Sequence, residues 1–173
     1  MLSIHKFIRG TVYSLVVGSM AAALAAEEAG PATAKARSSA TELDGRGRYL
    51  VKITGCNDCH TPGYAEAAGK IPERDWLTGD RIGWRGPWGT TYSSNLRLYM
   101  QYLSEDQWVK IAHTAQFRPL MPWFALRDMT EQDLRAIYRF IRKMGPAGEP
   151  APAYLPPDKE PEGPYILFPQ TPK

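Results

Sequence analysis

Cys56-Asn57-Asp58-Cys59-His60 constrains this 173-residue chain more than anything else in it. C-x-x-C-H is the attachment pattern of c-type haem. Two thiols three residues apart can each bond one vinyl group on the same porphyrin edge. The histidine next in the chain then reaches the iron from one side of the ring. A chain that carries such a group folds around an apolar disc, not only around its own side chains. Other chemistries share parts of the motif. A zinc site needs a second ligand pair, and the chain has two cysteines in all. A thioredoxin-like redox pair also uses C-x-x-C, but belongs in a βαβ context that this sequence does not show. A simple Cys56–Cys59 disulfide remains if no haem is attached, and the chain would then be a haem-free thiol–disulfide oxidoreductase.

The N-terminal segment 1–26 reads as a cleavable export signal. Lys6 and Arg9 precede an uncharged run from Thr11 to Leu24, and Ala23-Leu24-Ala25 supplies the small-x-small pattern. The run falls short of the ~20 apolar residues that span a bilayer, so cleavage after Ala25 or Ala26 is expected in place of an anchor. No later window is apolar enough to span, so no stable membrane span is expected after cleavage. The expected destination is the periplasm, an oxidising compartment. At 43% hydrophobic and 23% charged residues the composition excludes a disordered or collagen-like chain. Net charge is +3, and +1 without Lys6 and Arg9, too little to predict nucleic-acid or anionic-membrane binding.

Residues 27–40 are rich in Ala, Ser and Thr and read as a flexible linker. The expected domain covers 41–146, and 147–173 form a proline-rich tail. Leu43, Gly47 and Leu50 follow helical spacing, with an end near Thr54-Gly55. Gly45 and Gly47 weaken that helix, unless Gly47 serves close packing against another one. Thr61 to Leu103 shows no sustained period. So long an irregular stretch is tolerable where the chain wraps something that supplies missing core. Ser104 with Gln107 forms a capping box, with Leu103 and Trp108 placed to staple it. Trp108, Ile111, Ala112 and Ala115 form the apolar face of that helix. Thr130 caps the clearest helix, with Met129 and Leu134 as its staple. Leu134, Ile137, Tyr138 and Ile141 are its buried stripe, Arg135, Arg139 and Arg142 lie on another face, and Gly145-Pro146 stops it. Residues 146–173 hold nine of the fifteen prolines, so the tail is extended. Tyr154, Tyr165, Ile166, Leu167 and Phe168 give it something to dock with. The expected architecture is all-α, about three helices and long loops wrapped around one haem.

The sixth ligand of the iron decides the chemistry, since a closed His/Met site transfers electrons and an open one binds or activates small molecules. Met129 and Met144 sit at helix ends and read as packing. Met121, in Pro119-Leu120-Met121-Pro122-Trp123, lies in a loop stiffened by two prolines and is the preferred ligand; Met100 is the runner-up. His113 lies about 140° from the apolar centre of its helix at 100° per residue, so His/His ligation is disfavoured. Arg85, Trp88, Tyr92 and Asn95 are candidate partners for the haem propionates, because they offer guanidinium, indole, phenol and amide donors. The alternative is an aromatic satellite core with ordinary turn polar groups.

The chain resembles bacterial class I c-type cytochromes, and more narrowly the monohaem domains of cytochrome subunits of membrane-associated dehydrogenases. The resemblance rests on Gly47-Arg48-Tyr49-Leu50, Cys56 to Gly63, Gly86-Pro87-Trp88-Gly89-Thr90-Thr91-Tyr92 with Asn95-Leu96, Pro119 to Trp123, and Asp128 to Pro146. It departs from those subunits in having one C-x-x-C-H where they have several. It implies one covalent haem c and a class I cytochrome fold. First and last helices would cross, with Gly47 against Tyr138 or Ile141. The second nitrogen of His60 would meet a backbone carbonyl, for which Pro72 is the candidate. It also implies an electron carrier, not an enzyme, with redox proteins as partners (a dehydrogenase, an oxidase or another cytochrome). The competing reading is a haem protein with an open or labile sixth site.

Overall fold

The computed structural model describes residue 42 and residues 45–169. The expected export segment and linker lie outside the described residues, as does Leu43. Helix α1 covers 45–53 and ends at Thr54-Gly55, where Gly55 takes φ 77°. Helix α2, Cys56–His60, follows at once. After a loop with a 3-10 turn at Glu73–Asp75 come strands β1 (Gly83–Gly86) and β2 (Gly89–Tyr92), then α3 (Leu96–Tyr99) running into a 3-10 turn at Met100–Tyr102. Helices α4 (Glu105–Thr114), α5 (Trp123–Arg127) and α6 (Glu131–Met144) follow, and β3 (Tyr165–Leu167) closes the order.

The two best-marked helices begin where local chemistry places them. Ser104 Oγ accepts from the Gln107 N–H at 3.2 Å and Gln107 Oε1 accepts from the Ser104 N–H at 2.8 Å, a complete capping box. Thr130 Oγ1 accepts from the Asp133 N–H at 3.2 Å. The buried face of α4 is Trp108, Val109 and Ala112, so it is turned toward Val109 relative to the expected stripe. Trp108 Nε1 donates to the Leu134 carbonyl at 2.9 Å and Tyr138 Oη to the Leu103 carbonyl at 2.7 Å, which ties α4 and its approach to α6. The arginine face of α6 is bonded to α4 and to the turn before it. Arg135 and Arg139 pair with Glu105, and Arg142 donates to Gln101 Oε1 at 2.5 Å.

Helix α6 is buried on two sides. Its partner α1 meets it at Gly47, where a Cβ would lie 2.0 Å from the Ala136 carbonyl oxygen and 2.8 Å from Phe140 Cβ. The expected crossing is there, but Ala136 and Phe140 make it, not Tyr138 or Ile141. The latter stand on the stripe shared with Leu134 and Ile137, roughly a quarter-turn away or more at 100° per residue. Arg46 adds an exposed pair to Asp133 at 2.9 Å across the same contact.

The all-α expectation is corrected by a three-stranded sheet of order β2-β1-β3. β1 pairs antiparallel with β2 across Pro87-Trp88, and parallel with β3, Trp84 standing opposite Thr91 and Ile166. Its strands show no apolar alternation because three of their ends are glycine, and β3 is exposed at all three positions. The described part of the tail has no helix, turns at 157–158 and supplies an edge strand. Edge pairing is the one sheet role such a segment tolerates.

Two glycines in α1 should respond oppositely to alanine. Gly47→Ala should cost about 3 kcal/mol or more through overpacking against backbone. Gly45→Ala, with nothing within 4 Å, should stabilise by roughly 0.5–1 kcal/mol. Denaturant unfolding of the two variants, followed by far-ultraviolet circular dichroism, checks both signs.

Candidate haem site

Helix α2 sets both thiols and the imidazole on the wall of a single cavity of about 530 Å³, within the ~300–1,000 Å³ range of cofactor sites. Between them, Asn57 turns inward and is fully buried, taking the Thr61 hydroxyl on Oδ1 at 2.7 Å, while Asp58 is exposed at the cavity. The remaining walls come from nearly every other part of the fold. They include Trp84, Tyr92 and Ser94, Tyr99 and Met100, Trp108 of α4, the 117–122 loop, Leu126, Ile137 and Ile141 of α6, and Pro152 and Tyr154 of the tail.

His60 is 7% exposed. Its Nδ1 lies 2.7 Å from the Ser94 carbonyl oxygen. A carbonyl can only accept, so Nδ1 carries the proton and Nε2 keeps a free lone pair. Burial pushes this histidine below its usual range, against a smaller opposing pull from the carbonyl. A neutral imidazole is what a metal ligand requires. The expected partner, Pro72, is corrected to Ser94. The Pro72 carbonyl accepts from Asp75 within its own 3-10 turn, at 2.9 Å. Ser94 reaches His60 because Gly79 N–H bonds the His60 carbonyl at 2.8 Å and Asp80 N–H bonds Ser93 at 3.0 Å, stitching the 79–80 segment between them.

No disulfide joins Cys56 to Cys59, and burial pushes both thiols above their usual range. Thiol–disulfide exchange needs a thiolate near neutral pH, so this environment disfavours an oxidoreductase. Two adjacent thiols, a buried imidazole with one nitrogen available and apolar walls fit a covalently held porphyrin with iron.

Met121 lines the cavity, and so do Met100 and Met129; Met129, expected only to staple α6, is therefore also a wall residue. Met144 is not in the lining, and its carbonyl accepts from Arg97. His113 is not in the lining either, and its Nδ1 donates to the Arg127 carbonyl at 2.9 Å.

Of the four expected propionate partners, Tyr92 lines the cavity and the other three do not. They hold the tail instead. Arg85 donates to the Lys159 carbonyl at 2.6 Å and to Glu160 at 2.7 Å. Asn95 caps α3 through Oδ1 and donates through Nδ2 to the Ala147 and Glu149 carbonyls, at 2.8 and 3.1 Å. Trp88 packs at a tilt of 50° against Phe168 with ring centroids 5.6 Å apart, and its Nε1 donates to the Trp84 carbonyl at 3.3 Å. Such donors can serve any acceptor, and the tail supplies backbone carbonyls in quantity. Arg118, Pro152 and Tyr154 were not foreseen as wall residues. The only sequence signal for Arg118 was its place three residues before Met121, and for Tyr154 its aromatic ring in a proline-rich tail.

The family model for cytochrome c matches residues 45–145, more than half of the 173 residues. No curated protein matches the chain, and no solved structure does. Taken with the cavity behind the C-x-x-C-H helix, the match settles the affiliation. The chain belongs to the cytochrome c family, a haem-based electron-transfer protein that carries covalently attached haem c, for which its Cys56 and Cys59 pair is the fitting site.

Proposed function

We propose that the chain is an exported, periplasmic monohaem carrier that takes one electron from a donor protein and passes it to an acceptor. In this reading Cys56 and Cys59 would hold the haem through two thioethers, and His60 and Met121 would ligate its iron. The supporting observation is that His60, with Nε2 available, and Met121 line the same cavity.

The haem supplies the one-electron couple. The chain supplies orientation, dryness and a sixth ligand. Ser94 locks the His60 tautomer and ring plane, the outer-shell contact that tunes a ligating imidazole. Apolar walls keep water from the site. The Met121 loop is restrained at several points. Pro119 and Pro122 bracket it, the Thr91 hydroxyl donates to the Pro119 carbonyl, and Trp123 N–H bonds the Met121 carbonyl at 2.9 Å. Met100 lines the same cavity but is fully buried on a 3-10 turn within the hydrophobic core, where a flexible filler belongs. A sulfur ligand raises the potential relative to a nitrogen one.

Partner docking fits a weak, transient contact. The arginines of α6 are engaged by α4 acids and by Gln101, whereas Leu120, 40% exposed, stands at the cavity and Phe124, 54% exposed, lies beside it. An apolar rim of this kind suits a small electron-transfer interface. Among the described residues no helix is long and apolar enough to cross a membrane.

Visible and near-infrared spectra of the purified holoprotein test the ligand set. Met121→Ala should abolish the sulfur-to-iron band and lower the reduction potential, while Met100→Ala keeps the band. Retention in the first variant with loss in the second would transfer the role to Met100. Intact mass tests attachment and export together. Wild type should weigh the chain from residue 26 or 27 onward plus one haem, and the Cys56→Ala/Cys59→Ala double variant should be recovered without covalent haem.

A further inference from the structure

We propose that the tail completes the haem pocket, and that Arg118, held in place by Tyr154 of the tail, is the cation that meets a haem carboxylate. This rests on the covalent haem and not on Met121 being the sixth ligand. Haem carries two carboxylates, and a carboxylate against apolar walls needs a cation or several donors. Among the described residues lining the cavity, Arg118 is the one arginine or lysine. Its guanidinium carbon stands 4.1 Å from the centroid of the Tyr154 ring, the distance of a close cation–π contact.

Tyr154 lies beyond the stretch matched by the family, which ends at residue 145, and it is seated by specific contacts. Its hydroxyl donates to the Trp88 carbonyl at 2.8 Å. The next residue bonds β2 in both directions, Thr90 N–H to the Leu155 carbonyl at 2.7 Å and Leu155 N–H to the Thr90 carbonyl at 3.0 Å. The approach is so close that a Cβ on Gly89 would sit 2.2 Å from the Leu155 oxygen. A glycine is therefore required where the tail crosses the hairpin. The ring held there both walls the cavity and gives the exposed Arg118 fork a flat surface that fixes its direction at the cavity edge.

A positive charge at this place stabilises the reduced, less positive haem and keeps the carboxylate ionised to lower pH. Spectroelectrochemical titration of the full-length holoprotein between pH 5 and 9 reads both effects. In Arg118→Gln the reduced-to-oxidised ratio at a fixed applied potential should fall roughly threefold, the scale of one lost charge at a position open to solvent. The rise of the potential on acidification should begin at higher pH than in wild type. Arg118→Lys, which keeps the charge, should restore most of the ratio. Tyr154→Leu should shift the ratio in the same direction by less, and Tyr154→Phe, which keeps the ring, should stay near wild type. The near-infrared band should persist in all four, which separates this result from a failure of the axial assignment. Wild-type potential and pH profile in both Arg118→Gln and Tyr154→Leu would overturn the proposal. So would a shift in Tyr154→Leu alone, which would make the tail a water barrier and not the support of a charge.

Discussion

The haem is the piece of hydrophobic core that the polypeptide does not supply. Walls of one cavity are drawn from α2, the β hairpin, α3, α4, the methionine loop, α6 and the tail. These segments are far apart in the chain and share that cavity as their common neighbour. Each Å² of apolar wall removed from water contributes about 25 cal/mol, and only a large flat group can cover so many walls at once. Bonding that group to Cys56 and Cys59 makes it a permanent part of the fold that dilution cannot remove.

Around the cavity, the rigid contacts are those that leave no room. Helix α1 lies against the Ala136 carbonyl because residue 47 has no side chain. Buried Arg97 spans three carbonyls, those of Arg74, Met144 and Gly145, and so ties the end of α6 to the loop after α2. The tail is fixed in the same manner, by donors of the 84–95 segment that take its carbonyls. A proline-rich strand has few N–H groups to offer but many acceptors, so a neighbouring surface rich in donors is its natural partner.

Much of this is legible in the sequence. The caps at Ser104 and Thr130 involve residues three apart, and a helix stripe involves residues three and four apart, so both are local. The Gly47 crossing was foreseen on the correct helix but not the correct face, because α6 has two buried faces and a single stripe cannot reveal the second. The sheet was missed: β1 and β2 are glycine-bounded and half-buried, and β3 pairs with a strand some eighty residues earlier. The histidine's carbonyl partner was misread because backbone carbonyls are chemically alike, and only the path of the chain selects one of them.

By itself, then, the sequence determined the cofactor chemistry and the three longer helices α1, α4 and α6, but not the short α2, α3 and α5, since what it determined depends on side chains that are neighbours along the chain: two thiols and an imidazole within five residues, caps three residues from their targets. Only the tertiary structure decided which carbonyl orients His60, which donors serve the tail, and which cation stands at the cavity. Those are choices among many equivalent groups, and they are made by distance in space, which no local pattern encodes.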